Sequence, residues 1–488
     1  MTDCVLAIDQ GTTGTTALLL DAAVQVVASH NVEFPNHYPK PGWVEHDVAE
    51  IWSSVEAAVR GALDKAGPVS IQAIGITNQR ETSLFWDAQT GAPIHRALVW
   101  QDRRTADLCA QLKAEGREAG VAERTGLVLD PYFSGTKAKW LLDHVDGARA
   151  RAATGEILFG TIDTWLAWRL CGAHATDPSN ASRTLMFNIH TLDWDDGLLQ
   201  MLDVPRACLP RVADNAEVLG HTRNLGFLPD GIAVAGMAGD QQSALFGQAC
   251  FSPGAAKCTY GTGAFVLMNT GTEPVPSHNG LLTTVAWRLG GQTTYALEGS
   301  AFIAGAAVQW LRDGLGLIDS ASEIEALAAS VPDNGGVSFV PALAGLGAPH
   351  WRPDARGLLS GLTGGTTKAH VARAVLEGMA LQVGDILTAM SQDSGTPLAA
   401  LKVDGGAARN NLLMQFQADI LDTRCVRPTV LETTALGAAF LAGLGVGFWD
   451  STSGIEHAWA EDATFDPEMG DDDRAQRLAA WAEAVAKA

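Results

Sequence analysis

Short apolar runs separated by small and polar residues are the first pattern in this chain. The run at residues 5–8 ends at Asp9, and a second apolar run covers residues 17–20. Two runs of strand length on either side of glycines and threonines predict a pair of strands joined by a tight turn. The chain is therefore predicted to begin with a β-hairpin whose turn opens at Asp9-Gln10-Gly11-Thr12-Thr13.

A helical pattern follows a proline- and glycine-containing loop at residues 37–42. Asp47 with Glu50 three positions later matches a capping box, which predicts a helix start. Apolar side chains at helical spacing define its buried face: Ile51, Trp52, Val55, Val59 and Leu63. Gly67-Pro68 ends the helix, and the apolar run at residues 71–77 predicts a buried strand. Helices and strands that alternate in this way indicate an α/β layered fold.

The strand-and-turn pattern recurs in the second half of the chain. Residues 255–260 lead into Gly261-Thr262-Gly263, and residues 265–268 form the next apolar run. Acidic residues also end predicted strands, since the run at residues 232–237 precedes Asp240 and the run at residues 401–403 precedes Asp404. Two similar hairpins predict a duplicated architecture.

The chain length predicts the number of domains, and its hydropathy bears on membrane insertion. The 488 residues exceed what one hydrophobic core usually organises, so we expect two domains of roughly 200 to 250 residues. We divide the chain into residues 1–245 and 246–488, with a ligand cleft between them. The apolar stretch at residues 435–449 is shorter than the roughly 20 residues that span a bilayer, so it predicts a buried packing helix and no membrane insertion.

The formal net charge of -22 narrows the choice of partners. Such a surface repels phosphate backbones, which argues against nucleic acid or an anionic membrane. A nucleotide could still be held at contact distance by backbone amides, hydroxyls and a divalent metal. The seven cysteines show no zinc or redox spacing, and no signal peptide is evident, so a cytoplasmic protein is expected.

The two glycine- and threonine-containing turns are candidate phosphate sites. Their amides and hydroxyls can approach a phosphate closely, and Asp9 can hold Mg²⁺ through its water shell. The alternative is an ordinary surface hairpin, because such turns are common. Neither a Walker motif nor a Rossmann motif fits, since the glycines after the first strand lead into another strand.

Six further residues suggest a small polyol pocket, each with a structural alternative. Arg80 and Glu81 follow a strand and form either a structural ion pair or a donor and acceptor set for vicinal hydroxyls. The aromatic residues Trp100, Tyr132 and Phe265 are either core side chains or a wall for the carbon skeleton. Asp240 is either a helix cap or a general base for an attacking hydroxyl.

Taken together, these motifs resemble the sugar-kinase family and, within it, the glycerol kinases. The resemblance covers nearly the whole length. Its most specific stretches are residues 38–47, residues 75–82, residues 130–137, Gly239-Asp240-Gln241-Gln242 and Tyr260-Gly261-Thr262-Gly263. It implies a duplicated actin-like, ribonuclease H-like fold and ATP-dependent phosphorylation of glycerol to sn-glycerol 3-phosphate.

The resemblance also implies a role for individual residues. Asp240 would be the general base, and Asp9 would lie near Mg²⁺. The glycerol contacts would be Arg80, Glu81, Trp100, Tyr132, Asp240, Gln241 and Phe265. The ATP contacts would be Thr12, Thr13, Gly14, Thr262, Gly305, Gln309, Gly406 and Asn410. A homo-oligomer, either a dimer or a tetramer, is expected.

Two departures from the family pattern and two rival functions accompany this hypothesis. Thr16 stands where related kinases commonly have an arginine, which puts one phosphate contact in question. Residues 220–231 lack the loop through which some relatives bind fructose 1,6-bisphosphate, so that inhibitor is not expected. The rivals are a kinase of another polyol or ketose and an actin-like nucleotide switch that phosphorylates no small molecule.

Overall fold

The computed structural model describes residues 1–488 as two α/β halves. The strands of the first half are β1 (Thr2–Gln10), β2 (Gly14–Asp21), β3 (Val26–Glu33), β4 (Glu45–His46), β5 (Val69–Asn78), β6 (Ser83–Asp87), β7 (Ala97–Leu98), β8 (Ile157–Thr161), β9 (Ala175–Thr176), β10 (Phe187–Asn188), β11 (Asp193–Trp194), β12 (Arg211–Val212), β13 (Gly220–His221) and β14 (Ala233–Gly239). Its helices are α1 (Val48–Ala66), α2 (Ala106–Ala114), α3 (Glu118–Thr125), α4 (Ser134–His144), α5 (Ala148–Ala153), α6 (Ile162–Cys171), α7 (Pro178–Ala181), α8 (Asp196–Leu202) and α9 (Asp240–Gly247).

The second half repeats the alternation of strands and helices. Its strands are β15 (Ala255–Tyr260), β16 (Ala264–Gly271), β17 (Leu282–Leu289), β18 (Gln292–Ala301), β19 (Ser338–Val340), β20 (Leu358–Ser360), β21 (Ala400–Asp404), β22 (Cys425–Pro428) and β23 (Glu461–Phe465). Its helices are α10 (Gly305–Gln309), α11 (Glu323–Ala329), α12 (Lys368–Ser394), α13 (Asn411–Leu421), α14 (Thr433–Val446), α15 (Thr452–Ala458) and α16 (Asp471–Lys487).

The two main sheets share one topology, which confirms the predicted duplication. Read from the equivalent edge, the first sheet has the order β3-β2-β1-β5-β14-β13, and the second has the order β18-β16-β15-β21-β22-β23. The second sheet has one additional strand, β17, next to β18. In each sheet an antiparallel hairpin, β1–β2 or β15–β16, is flanked by parallel neighbours, which are β5 and β14 or β21 and β22. Both predicted hairpins are present, with turns at Gly11-Thr12-Thr13 and Gly261-Thr262-Gly263.

Helix α1 begins at the predicted residue, but the predicted capping box is wrong. The Asp47 side chain accepts a hydrogen bond from the Ala49 amide at 2.9 Å and caps the helix alone. Glu50 does not turn back to the cap, because its carboxylate contacts Nε2 of His37 at 2.7 Å on the preceding loop. The helix ends before Gly67, as predicted.

Helix α14 belongs to the second half of the chain but packs on the first sheet. A Cβ atom added at Gly75 in β5 would lie 2.0 Å from the backbone oxygen of Ala438, and one at Gly236 in β14 would lie 2.3 Å from the amide of Ala442. Only glycine permits such close approach of a helix backbone to a strand. The predicted buried packing helix is thereby confirmed, and no helix is long and apolar enough to cross a bilayer.

The proposed division between residues 245 and 246 stays a prediction. It falls inside α9, whose last residue is Gly247. Helix α9 itself packs against α14, since a Cβ atom at Gly437 would lie 1.9 Å from the Ser243 carbonyl oxygen. The two halves therefore meet along a pair of helices with almost no side chains between their backbones.

Candidate active site

Three parallel strands of the first sheet end at the same edge. Asp9 in β1 is in register with Thr77 in β5, and Asn78 in β5 is in register with Gly239 in β14. Because parallel strands point the same way, the first hairpin turn, the residues after β5 and Asp240 are all delivered to one side of the sheet. The predicted phosphate turn and polyol residues thus become neighbours through topology.

The first turn is fixed by its own backbone and by the residues that follow β5. The Gly11 amide donates to the Gly14 carbonyl at 2.9 Å, and Nε2 of Gln79 donates to the Gly11 carbonyl at 3.0 Å. Thr13 is exposed, and Oγ1 of Thr12 accepts a hydrogen bond from Nε1 of Trp100 at 2.9 Å. The predicted phosphate turn is therefore directly tied to a predicted polyol residue.

Asp9 lies half-buried beside this turn, and no protein group donates a hydrogen bond to its carboxylate. Burial raises the pKa of Asp9 to about 7, and the charge of Asp240 adds to that increase. A divalent cation would relieve both effects. The chain contains no cluster of three or more His, Cys, Asp or Glu side chains suited to a metal ion. Mg²⁺ held by Asp9 would thus take its remaining ligands from water and phosphate, as Mg²⁺ commonly does.

Asp240 is the first residue of α9, and Gly239 occupies the cap position. The alternative prediction of a helix cap is therefore wrong, because the Asp240 carboxylate lies inside the first turn. Its Oδ1 atom is 3.0 Å from Nε of Arg80, and its side chain is 31% exposed. Oδ1 also accepts a hydrogen bond from the Gln241 amide at 2.7 Å, whereas no donor contacts Oδ2. A partly exposed carboxylate with one free oxygen has the geometry of an available general base.

Arg80 and Glu81 do not form the compact ion pair that adjacent opposite charges suggest. Nε of Arg80 is 3.9 Å from Oε1 of Glu81, whereas its two terminal nitrogens contact the Glu298 carboxylate at 2.6 and 2.9 Å. Glu81 instead accepts from Nε of Arg183 at 2.7 Å. Its own backbone is left-handed, with φ of 62°, a strained conformation for a residue with a Cβ atom.

Glu298 and Arg183 are buried members of this cluster that sequence reasoning missed. Nη2 of Arg183 donates to Oε1 of Glu298 at 3.0 Å. Burial alone would raise the pKa of Glu298, but Arg183 and Arg80 outweigh that effect and lower it to about 2. Glu298 is the one charged residue in the apolar segment 295–299 of β18, which is a signal that could have identified it.

Two of the three predicted aromatic residues are in contact. The rings of Trp100 and Tyr132 have centroids 5.5 Å apart and are nearly perpendicular at 88°. Nζ of the buried Lys137 donates to the Tyr132 carbonyl at 2.6 Å and anchors this segment. Phe265 makes no ring contact with either and lies on β16, where it pairs with Ser300 of the strand that carries Glu298.

Gln241 is buried next to Asp240 and also receives a contact from the second half of the chain. Its Oε1 atom accepts a hydrogen bond from Nζ of Lys257. Burial lowers the pKa of this lysine, whose ammonium group also donates to Oγ1 of Thr259 at 2.9 Å. The Gln241 amide nitrogen is therefore the group left to face a ligand.

The second turn contacts the start of α10. The Gly305 amide donates to the Gly261 carbonyl at 2.9 Å, and the Ala306 amide donates to the Thr262 carbonyl at 3.1 Å. A Cβ atom at Gly305 would lie 2.6 Å from that Gly261 oxygen, so glycine is required there. Thr262 and Gln309 are exposed around this turn, which brings three of the predicted ATP residues to one surface.

Gly406 and Asn410 follow β21, whose Asp404 is in register with Thr259 of β15. They therefore share the sheet edge with the second turn. Gly406 is exposed, whereas the Asn410 side chain caps α13 by accepting from the Leu413 amide at 2.9 Å. Asn410 thus has a structural role in addition to the nucleotide contact predicted for it.

The two departures from the family pattern have simple local structures. Oγ1 of Thr16 accepts from Nδ2 of Asn31 at 2.9 Å, so the position is filled by a hydrogen bond between β2 and β3. In the segment at residues 220–231 the Gly231 amide donates to the Thr222 carbonyl at 2.8 Å, which closes a short loop. The expectation that fructose 1,6-bisphosphate does not bind there stays a prediction.

Both halves of the sequence match models of a known protein family. Residues 4–247 match the N-terminal domain of the FGGY family of carbohydrate kinases, and residues 256–446 match its C-terminal domain. The chain is 62% identical over 490 residues to a glycerol kinase of Myxococcus xanthus, with 99% of both chains covered.

Solved structures agree with this result. A Plasmodium falciparum glycerol kinase with ADP superposes with a TM-score of 0.94 at 38% identity, and the match covers 100% of this chain and 98% of that chain. A gluconate kinase of Lactobacillus acidophilus shares the fold with a TM-score of 0.88 at 22% identity, over 99% of this chain and 97% of its own. The duplicated actin-like sheets and the full-length matches identify this chain as a member of the FGGY family of carbohydrate kinases.

Proposed function

We propose that this protein phosphorylates glycerol with ATP and releases sn-glycerol 3-phosphate and ADP, as a step of glycerol catabolism. The observation that carries the proposal is the Asp240 carboxylate, which lies 3.0 Å from Arg80 and is 31% exposed. The names of the full-length relatives support the choice of glycerol.

Asp240 acts as the general base. The primary hydroxyl of glycerol attacks the γ-phosphorus of ATP, the bond from that phosphorus to the ADP oxygen breaks, and the hydroxyl proton passes to Asp240. Arg80 contacts Oδ1 of Asp240, and no donor contacts the other carboxylate oxygen, Oδ2. Gln241, whose amide oxygen is already engaged by Lys257, donates from its nitrogen to the same substrate.

The remaining polyol contacts divide between polar and apolar groups. Arg80 and Glu81 bind the two hydroxyls that are not phosphorylated, since together they offer a donor and an acceptor. Trp100, Tyr132 and Phe265 contact the carbon skeleton. A short chain with three hydroxyls satisfies this set, whereas a longer sugar leaves polar groups unpaired.

The two turns grip the nucleotide from opposite halves. The phosphates are contacted from the first half by Thr12, Thr13 and Gly14 and from the second half by Thr262. The adenosine end is contacted by four residues of the second half: Gly305, Gln309, Gly406 and Asn410. Asp9 holds Mg²⁺, which supplies charge neutralisation for the phosphates when bound. The half-buried Asp9 carboxylate without a hydrogen-bond donor supports this assignment.

We also propose a cytoplasmic homo-oligomer, either a dimer or a tetramer. All seven cysteines are free and buried, which suits a reducing compartment. Light scattering on the purified protein measures the oligomeric state directly, and a monomer at micromolar concentration would contradict that part of the proposal.

A coupled ADP-release assay over glycerol, dihydroxyacetone, xylulose and gluconate tests the function. We expect the highest kcat/KM with glycerol and an absolute requirement for Mg²⁺. A higher kcat/KM with a ketose or gluconate would contradict the choice of glycerol and favour the alternative hypothesis of a kinase for another polyol or ketose. ATP hydrolysis that is independent of any polyol, together with sedimenting filaments, would favour the nucleotide switch instead.

A further inference from the structure

Four buried charged side chains from distant parts of the chain form one continuous network behind the proposed polyol site. Arg80 and Glu81 lie in the turn between β5 and β6, Arg183 follows α7, and Glu298 is in β18 of the second half. Each of them is at most 2% exposed. The contacts run from Arg80 to Glu298, from Glu298 to Arg183 and from Arg183 to Glu81.

Most of the N–H donors of Arg80 are engaged within this network. A guanidinium has five N–H donors. Nε lies 3.0 Å from Asp240, Nη1 donates to Glu298 and to Oε1 of Gln242, and Nη2 donates to Glu298. One N–H of Nη2 is the donor without a partner.

The same count for Glu81 leaves one acceptor. Oε1 is engaged by Nε of Arg183 at 2.7 Å, and no hydrogen bond reaches Oε2. The left-handed backbone at Glu81 turns its side chain toward Arg183 at a conformational cost, so this orientation depends on the arginine. Nη1 of Arg183 also has no hydrogen-bond partner, but it is fully buried. On Arg80 and Glu81, the two predicted polyol residues, the network therefore leaves one donor and one acceptor unengaged, a set that matches two adjacent hydroxyls.

We infer, on the basis of the proposed function, that Glu298 and Arg183 are positioning residues that set the preference for a vicinal diol. Glu298 holds two nitrogens of Arg80 in a bidentate contact and thereby fixes which N–H faces the substrate. Arg183 holds Glu81 through a single hydrogen bond from Nε and contacts Glu298 through Nη2, so one planar guanidinium joins the two carboxylates. Neither residue touches the substrate itself.

Glu298→Gln tests the inference, with Glu377→Gln as a matched control. Glu377 is also a buried carboxylate held by two arginines, Arg373 at 2.9 Å and Arg477 at 3.2 Å, but none of these lies in the candidate site. Steady-state kinetics with glycerol and with 1,3-propanediol, which lacks the middle hydroxyl, are measured for both variants. Their thermal unfolding midpoints are compared in parallel.

We expect Glu298→Gln to raise the KM for glycerol about tenfold or more, because Arg80 loses a charged bidentate partner. The kcat/KM ratio of glycerol to 1,3-propanediol should fall by a similar factor, while the KM for ATP stays within about twofold. Glu377→Gln should lower the unfolding midpoint comparably and leave the ratio unchanged. An unchanged ratio in Glu298→Gln overturns the inference.

Arg183→Lys provides a second variant if Glu298→Gln does not fold. Lysine keeps the charge but cannot contact two carboxylates through a planar fork, so the same ratio should fall by a smaller factor. An unchanged ratio here also counts against the inference. If the wild-type enzyme prefers another polyol, the proposed function fails separately, and the ratio is measured with that polyol and its analogue lacking one adjacent hydroxyl.

Discussion

The two hairpins share a backbone plan but differ in the chemistry beside their turns. Gly11 and Gly261 occupy equivalent positions, and each amide donates across its turn at 2.9 Å. Two residues earlier, the first hairpin has Asp9, whereas the second has Thr259. The nearby acid of the second half, Asp404, accepts hydrogen bonds from Gln248 and Thr433 at 2.7 and 2.8 Å.

This difference is consistent with a division of tasks between the two halves, as proposed above. The first half presents Asp9, which has no protein donor, and Asp240, whose Oδ1 is engaged by Arg80 and the Gln241 amide while its Oδ2 has no donor. The second half keeps Asp404 satisfied and presents amides, hydroxyls and glycines. We interpret the first half as the side of proton acceptance and metal binding, and the second as the side of nucleotide binding. Five substitutions test this division, from the largest expected effect to the smallest.

Asp240→Asn should remove the proton acceptor while keeping a polar side chain of the same shape. We expect kcat to fall by about 10² to 10⁴. The dissociation constant for glycerol, measured by calorimetry, should change by less than about threefold, because the neighbouring contacts remain. Near-normal kcat would contradict the assignment of catalysis to the first half.

Gly305→Ala should damage the second half alone. The added Cβ atom would meet the Gly261 carbonyl at 2.6 Å, so the second turn or the start of α10 must move. We expect the KM for ATP to rise about tenfold with little change for glycerol. Gly120→Ala in α3 is the control, since no atom lies within 4 Å of its Cβ position. Equal effects of the two variants would argue against a tight second turn.

Thr12→Val and Thr262→Val compare the turns directly. Thr12 accepts the Trp100 indole hydrogen bond at 2.9 Å, so its loss should raise the KM for both glycerol and ATP by about three- to tenfold. Thr262 contacts no predicted polyol residue, and its loss should affect the KM for ATP alone. If both variants give the same pattern, the coupling between phosphate turn and polyol site is wrong.

Asp9→Asn should change the pH dependence of stability without ligands. Because burial and Asp240 raise the pKa of Asp9 to about 7, the folded protein favours the protonated carboxyl. The stabilisation from this group is fully present below its unfolded pKa and is lost as pH rises through 7. The melting temperature of Asp9→Asn, relative to wild type, should therefore be higher at pH 8 than at pH 5. An equal difference at both pH values would contradict this assignment.

Local sequence patterns predicted the secondary structure better than they predicted which charged side chains would pair. Hydrophobic runs and glycine positions were sufficient for both hairpins, for the end of α1 and for the buried helix α14, because each depends on neighbours in sequence. Glu50 was misassigned because His37 competes for its carboxylate through a loop whose path no local pattern specifies.

The candidate site was partly predictable for the same reason. Asp9, Arg80 and Asp240 stand at strand ends, and parallel pairing brings strand ends together. Glu298 could not be connected to Arg80 from sequence, since 218 positions separate them and their contact depends on how β18 meets the first half. Which member of an ion pair faces the substrate likewise depends on all four charges of that network.

The seam at α14 has a consequence for dividing this chain. A fragment ending at residue 245 would lack helix α14, which covers β5 and β14. The apolar side chains of these strands, and the backbone at their glycines, would then be exposed to solvent. A fragment of the second half would carry a hydrophobic helix with nothing to rest on. Although the architecture arose as two copies, each copy now completes the other, so we expect the halves to assemble only when they are produced together.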